Sequence, residues 1–243
     1  MGKVLMEITM SLDGYVTGPD VSPNEPMGRG GEALHEWMFA GKSAADIEAF
    51  QTTLFSGVGA VIMGRRMVDL GIGPWGEEPV FHAPCFVVTH RPAETIVKKG
   101  GTSYIFVTEG IEAAMAQAKA AAGEQDVMVN GGADIDRQFL NAGLIDEIRL
   151  HLVPVLLGVG TTLFTGVRPD LRLVPSQATT SPLATHLTYQ VDASAVRAYA
   201  GRLVASWLHG HGRCARGRGR RARTPPRRTE HAGASRLFMH PSS

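Results

Sequence analysis

Four short stretches carry residue types that could hold phosphate groups. They are "MGRRM" (63–67), "THRP" (89–92), "TEG" (108–110) and "NGGAD" (130–134). Gly131 and Gly132 would let an anion approach the backbone. A helix beginning near Ala133 and Asp134 would point its free N–H groups at that anion. Gly64 and Met67 flank Arg65 and Arg66, and Arg91 follows Thr89 and His90. These arginines suit a second phosphate, such as the 2′-phosphate of NADP, because a guanidinium meets an oxyanion with paired donors. Thr108 opens the "TEG" stretch with a hydroxyl. Singly, each stretch has a plain explanation. Paired glycines ordinarily make a turn, adjacent arginines ordinarily face solvent, and a lone His90 is ordinarily a surface residue. One bound dinucleotide accounts for all four together. No G-x-G-x-x-G opens a helix and no Walker-type lysine loop occurs. That weighs against an ordinary NAD-linked dehydrogenase and against an NTPase.

Each stretch closes or follows a short apolar run: "VGAVIMG" (58–64), "CFVVT" (85–89), "SYIFVT" (103–108) and "DVMVN" (126–130). Such runs are too short for helices and read as strands buried on both faces. "GIEAAMAQAKAAAG" between the last two predicts a helix ended by Gly123. Residues 3–10 predict another strand, and 11–42 a long loop with at most a helical turn. The segment 43–55 predicts a helix capped by Ser43, with Asp46 in its first turn and Ile47, Phe50 and Leu54 on its apolar face. Residues 145–158 predict a longer strand with Pro154 near its end. "LRLVPSQATT" and "ATHLTYQV" predict a closing antiparallel hairpin. The result is an α/β domain with a mainly parallel sheet, whose ligands should sit beyond the carboxyl ends of the strands.

The charge divides the chain in two. Residues 1–192 carry 13 basic and 22 acidic side chains, a net of −9, and residues 193–243 carry 11 arginines and one acid, a net of +10, so the whole chain stands at +1. The reading is a domain over 1–192 and a basic tail over 193–243, with an amphipathic helix over 194–210 followed by disorder. Binding to nucleic acid through the tail is the less favoured reading of it. No run is long and apolar enough to span a membrane, and Glu7 and Asp13 interrupt any signal-peptide core, so a cytoplasmic location is expected. Two cysteines make neither a disulfide framework nor a metal site.

The stretches "ITMSLDGYVTG" (8–18), "AVIMGRRM" (60–67), "FVVTHRP" (86–92) and "VNGGADIDRQFLNAGLIDEIRLHLVPVLLGVGTTLF" (129–164) together resemble the dihydrofolate reductase-like superfamily. Within it they are most similar to the reductase domain of bacterial riboflavin biosynthesis, the RibD C-terminal domain branch. The resemblance covers about residues 3–191. It implies a three-layer fold, bound NADPH, a small-molecule substrate and often a homodimer. Gly64, Arg65, Arg66 and Met67 would approach the cofactor phosphates, Thr89, His90 and Arg91 the adenosine ribose, and Gly131, Gly132, Ala133 and Asp134 the pyrophosphate. Val16 and Thr17 would reach the nicotinamide. The implied activity is hydride transfer from NADPH to a pterin- or pyrimidine-like heterocycle or to a carbonyl. The alternative is a non-catalytic dinucleotide-binding or regulatory protein on the same fold. A zinc deaminase, which commonly precedes this domain, is excluded by the absence of H-x-E and P-C-x-x-C.

Hydride transfer needs a proton donor or an ordered water. Asp13, at the end of the first strand, is the first candidate and also suits a turn with Gly14. Glu36 is the second, because the folate enzyme places an acid on the helix after its first long loop. Arg137 and Arg149 read as surface charges, and Trp37 and Trp75 as loop aromatics covering the core.

Overall fold

The computed structural model describes residues 2–41, 43–55 and 57–192. The chain opens with β1 (Val4–Ser11), β2 (Tyr15–Thr17), α1 (Glu36–Ala40), α2 (Ala44–Phe55), β3 (Val58–Gly64) and α3 (Arg65–Gly71). Then come β4 (Pro84–Val88), β5 (Ile96–Val97), β6 (Ser103–Val107), α4 (Ile111–Ala122), β7 (Asp126–Val129) and α5 (Ala133–Asn141). The chain continues with β8 (Glu147–Val153), β9 (Thr161–Thr162), β10 (Arg172–Thr180) and β11 (Thr185–Asp192).

Among the described residues, nine strands form one sheet in the order β10-β11-β8-β1-β7-β3-β4-β6-β5. Every neighbouring pair from β8 to β6 is parallel. β11 and β10 continue the sheet antiparallel at one edge and β5 at the other. The expected mainly parallel sheet with a closing antiparallel hairpin is therefore present. All six parallel strands point their carboxyl ends the same way, so the loops after them share one rim.

Alternation in β1 separates two faces. Val4, Met6 and Met10 join Ala60, Ile62, Val127, Val129, Ile148 and Leu150 in one apolar layer, covered by α4 and α5. Leu5, Glu7, Thr9 and Ser11 point the other way, level with Glu147, Arg149, His151 and Val153 of β8. On that Glu7 face, α3 covers Val61, Met63, Cys85 and Val87, while Leu34 and Trp37 pack with Val153. Helices on both faces make three layers.

The structure corrects several sequence expectations. The loop 11–42 contains β2 and α1. β8 stops at Val153, because Pro154 has no N–H to continue the ladder. Trp37 lies on α1, not in a loop, and is 2 % exposed. In α2 the buried position is Asp46, at 2 % exposure, whereas Ile47 is 46 % exposed. Arg137 and Arg149 are not surface charges. The Arg137 guanidinium donates to Thr162 O at 2.8 Å, and Arg149 Nε donates to Glu147 Oε1 at 2.9 Å. The expected helix and disorder of 194–243 lie outside the described residues. Among those described, no helix is long and apolar enough to cross a membrane.

Phe139 is fully buried and anchors α5 on the sheet, whereas Phe39 on α1 is 83 % exposed. Phe139→Ala is expected to lower unfolding stability by about 3–5 kcal/mol in a denaturant titration. Phe39→Ala should change it by no more than about 0.5 kcal/mol.

Candidate functional site

Three helices, α3, α4 and α5, begin at the shared rim. Their N-cap residues are all glycine, Gly64, Gly110 and Gly132, and none has a side-chain capping bond. Their first N–H groups are left for another acceptor. α3 then adds two cations, Arg65 and Arg66, at the positive end of its own dipole, where cations are disfavoured. Asp69 answers only part of that charge. Its carboxylate takes Arg65 Nε at 2.7 Å and the Arg91 guanidinium at 3.2 Å. Arg66 donates to the Val21 carbonyl at 3.3 Å, which carries no counter-charge. The Arg65 guanidinium also stacks 4.9 Å from the Phe106 ring centre. Around α3, Arg65 and Arg91 share the Asp69 carboxylate and Arg66 meets only a carbonyl, so the place is electrically set for an anion.

The glycines have different jobs. Gly131 has φ +88°, a backbone that side chains rarely adopt, and its peptide to Gly132 is cis. The Gly64 N–H donates to Gly131 O at 2.8 Å, tying the loop after β7 to the end of β3. A Cβ on Gly64 would lie 2.9 Å from Ile135 Cγ1, so Gly64 serves the packing of α5. A Cβ on Gly132 would meet nothing within 4 Å, so Gly132 faces open space at the helix start. That is the cradle a phosphate would enter. Asp134 beside it is exposed and accepts from Gln138 Nε2 at 2.8 Å. Its carboxylate would oppose a phosphate, so the cradle there is backbone.

The rim brings together Gly64, Arg65, Arg66, Met67, Thr89, His90, Arg91, Thr108, Gly131, Gly132, Ala133 and Asp134. Thr89 is buried and accepts the Arg91 N–H at 3.0 Å, which turns the chain. His90 and Thr108 are exposed. Val16 and Thr17 stand apart from the main sheet, in the small β2–β9 ladder. There the Thr17 hydroxyl donates to Thr161 Oγ1 at 2.9 Å.

The proposed acids have unequal surroundings. Asp13 accepts the Ser11 hydroxyl at 2.6 Å and the N–H groups of Leu157 and Gly158 at 3.2 and 2.7 Å. The Ser11 bond leads the causes that hold its carboxyl below the ordinary range. Asp13 is thus an anion tying two rim loops together, which suits a positioning role better than proton donation. Glu36 is exposed on α1.

A different carboxylate is built into the Glu7 face. Asp46, in the first turn of α2, accepts the Ser43 hydroxyl at 2.6 Å, and its other oxygen lies 3.0 Å from His186 Nε2. His186 Nδ1 lies 2.8 Å from His151 Nδ1, and His151 Nε2 lies 2.7 Å from Glu7 Oε1. All four groups are buried. The Trp37 ring covers both imidazoles at 4.4 and 4.9 Å between centres, and its N–H donates to Thr9 Oγ1 at 3.2 Å. Burial opposes ionisation of Asp46, but hydrogen bonds from Ser43, Ser181 and His186 outweigh it and leave the carboxyl lowered. Burial also lowers His186. Sequence reasoning missed this chain of groups. Its traces were a glutamate inside an otherwise apolar strand and one histidine in each of two strands.

Asp136, in the first turn of α5, is also fully buried, and neither carboxyl oxygen meets a partner in hydrogen-bond geometry. Burial pushes it well above the ordinary carboxyl range, against a weaker opposing pull from the Gly131 N–H.

The model of the RibD C-terminal domain matches residues 2–185. Two uncharacterised proteins of Bacillus subtilis (strain 168) are similar over most of their length. YyaP is 24 % identical over 181 residues, covering 70 % of this chain and 85 % of that protein. YwjB is 27 % identical over 173 residues, covering 70 % and 87 %. A crystal structure from Shewanella sp. PV-4, provisionally assigned to riboflavin biosynthesis, shares the fold with a TM-score of 0.60 at 22 % identity. The likeness covers 78 % of this chain and 99 % of that one.

Because its folded carboxyl range is raised, Asp136 is neutral where the unfolded chain's carboxyl is ionised. Its burial therefore opposes folding increasingly as pH rises above 3.8, the ordinary value for an aspartate. Asp136→Leu is expected to raise stability by about 1–3 kcal/mol near pH 8 and by clearly less near pH 4, measured as thermal unfolding at both.

Proposed function

Because this chain belongs to the RibD C-terminal domain family, we propose that it is a reductase that uses NADPH to reduce a small heterocycle or carbonyl. One observation carries the cofactor assignment: three guanidinium groups around a single carboxylate, beside three helix starts capped only by glycine. A dinucleotide with an extra phosphate offers one anionic group to the glycine-capped helix starts and a second to the arginines. The Gly131–Ala133 backbone would take the pyrophosphate, and Arg65, Arg66 and Arg91 the 2′-phosphate. Thr89, His90 and Thr108 line the same rim near the adenosine side, and Val16 and Thr17 are assigned to the nicotinamide side. Bound there, the cofactor supplies a hydride.

The chain's own residues handle the proton. The resemblance calls for an acid on the helix after the first long loop. The long helix there is α2, and its inward acid is Asp46, while Glu32 and Glu36 are exposed on shorter elements. Asp46 replaces Glu36 in the reading, and Asp13 keeps the positioning of the loops at the end of β1.

Arg65→Gln and Arg66→Gln are each expected to weaken NADPH about tenfold or more, since a charge-assisted bond is lost, and to leave NADH nearly unchanged. Fluorescence titration of both nucleotides measures this. Following NADPH absorbance with dihydrofolate, the riboflavin-pathway pyrimidine and simple carbonyls tests the activity. Tight NADPH binding without oxidation would favour the non-catalytic reading, and equal, weak binding of both nucleotides would overturn the cofactor assignment.

A further inference from the structure

A carboxyl is buried directly behind the phosphate cradle. Asp136 lies in the first turn of α5 and is 0 % exposed. Neither of its oxygens has a partner in full hydrogen-bond geometry. Its own N–H donates to Gly132 O at 3.2 Å. Its Oδ2 approaches Gly131 so closely that a Cβ there would lie 3.7 Å from it, and 3.7 Å from Met67 Sδ. The Gly131 N–H is turned toward the same carboxyl, and the Gly131 carbonyl takes the Gly64 N–H at 2.8 Å. Gly131 is thus held from two sides, by β3 through its carbonyl and by α5 through its N–H. Gly132, the next residue, opens onto free space and begins α5 without a side-chain cap.

A carboxylate stays ionised in such a place only beside a counter-charge or several donors. Asp136 has neither. Arg137 gives its guanidinium to Thr162 O, and it pulls on Asp136 less than burial pushes. Neutral, the carboxyl can accept from the Gly131 N–H with its carbonyl oxygen. Ionised, it would set a negative charge against the backbone that a phosphate must approach. The carboxylate and the phosphate would then compete for one positive helix start.

We propose that Asp136 is a positioning residue of the cofactor cradle. Its uncharged carboxyl steadies Gly131 from behind, so that Gly132 and the start of α5 stay turned to the phosphate, and its ionisation turns the site against anions. This rests on the dinucleotide reading of the rim. Binding and protonation are then linked in both directions. A phosphate in the cradle favours the protonated carboxyl, and removing the proton weakens the phosphate. Because the folded carboxyl is raised, the competent form is present below its folded value and is lost as pH climbs through it.

Few other charges bear on Asp136. On α5 itself, Asp134 is exposed and bonded to Gln138, and Arg137 is bonded to Thr162 of β9. On α3, Arg65 is bonded to Asp69 and Arg66 to Val21 O, while Met67 brings only a sulfur. The sheet layer that α5 covers is uncharged there, with Met6, Ile62, Val129, Ile148 and Leu150. From α4 come Ala114, Met115 and Ala118, also uncharged.

Asp136→Asn and Asp136→Leu separate the two parts of this role. Asparagine keeps the carbonyl acceptor and never carries a negative charge, whereas leucine has neither acceptor nor charge. The full chain is titrated with NADPH by fluorescence and with inorganic pyrophosphate by calorimetry, at about pH 6 and about pH 9. At the lower pH, Asp136→Asn should bind both ligands within about twofold of wild type, and Asp136→Leu about tenfold more weakly, although it unfolds at a higher temperature. Between the two pH values, wild type should weaken about tenfold or more relative to Asp136→Asn. Every other titrating group on the rim is common to both and cancels in that ratio. Parallel weakening of wild type and Asp136→Asn would overturn the proposal, as would a leucine variant that binds like wild type. A second arm needs no cofactor. In ¹³C spectra of aspartate-labelled protein, the carboxyl signal that Asp136→Asn removes should be that of the protonated form at about pH 6, and added pyrophosphate should hold the proton to higher pH. An ionised Asp136 at that pH contradicts the proposal whether or not the protein is a reductase. Pyrophosphate binding that follows this pattern without NADPH binding would uphold Asp136 and sink the cofactor reading. Binding of neither ligand would sink both.

Discussion

The bond from the Gly64 N–H to the Gly131 carbonyl, 2.8 Å long, is the contact on which the candidate site depends. It joins the ends of two neighbouring parallel strands, β3 and β7, where each gives way to a helix. It can form only because Gly131 takes a positive φ, and because Gly64 has no Cβ to strike Ile135. With that contact made, α3 and α5 start side by side at one rim. Two helix N-termini and the arginines of one of them then face the same space. Electrostatic repulsion among like charges would oppose this arrangement unless an anion completed it.

The two faces of the sheet solve different problems. The Met6 face is apolar and close-packed, and its work is to fix α4 and α5. The Glu7 face carries a glutamate, two histidines and an aspartate away from water, which is tolerable only if every contact between them is satisfied. A single removal would leave a buried charge without its partner. Such a network gives little net stability compared with an apolar core of the same volume.

Much of the architecture was legible because it is local. Apolar runs such as "AVIM" and "CFVV" announce buried parallel strands, and the alanine-rich run after Gly110 announces α4. Turn chemistry at Gly131 and Gly132 was legible too. The inward face of α2 was not. Helical periodicity favoured Ile47, but Asp46 faces inward because His186 awaits it 140 residues later in sequence. Glu7 and His151 are 144 residues apart, and nothing local to either reveals the other. Asp13 was visible as a turn residue, while its clamp on Leu157 and Gly158 depended on a loop far along the chain. Arg149 looked like a surface charge because periodicity in a strand buried on both faces carries no outward side.

The central claim is that the rim formed by α3, α4 and α5 is a dinucleotide cradle selective for the phosphorylated cofactor. A crystal structure of the protein with NADPH tests it most directly. The pyrophosphate is expected on the Gly131–Ala133 backbone and the 2′-phosphate among Arg65, Arg66 and Arg91. Density for the nucleotide elsewhere, or a rim left empty at saturating NADPH, would contradict it.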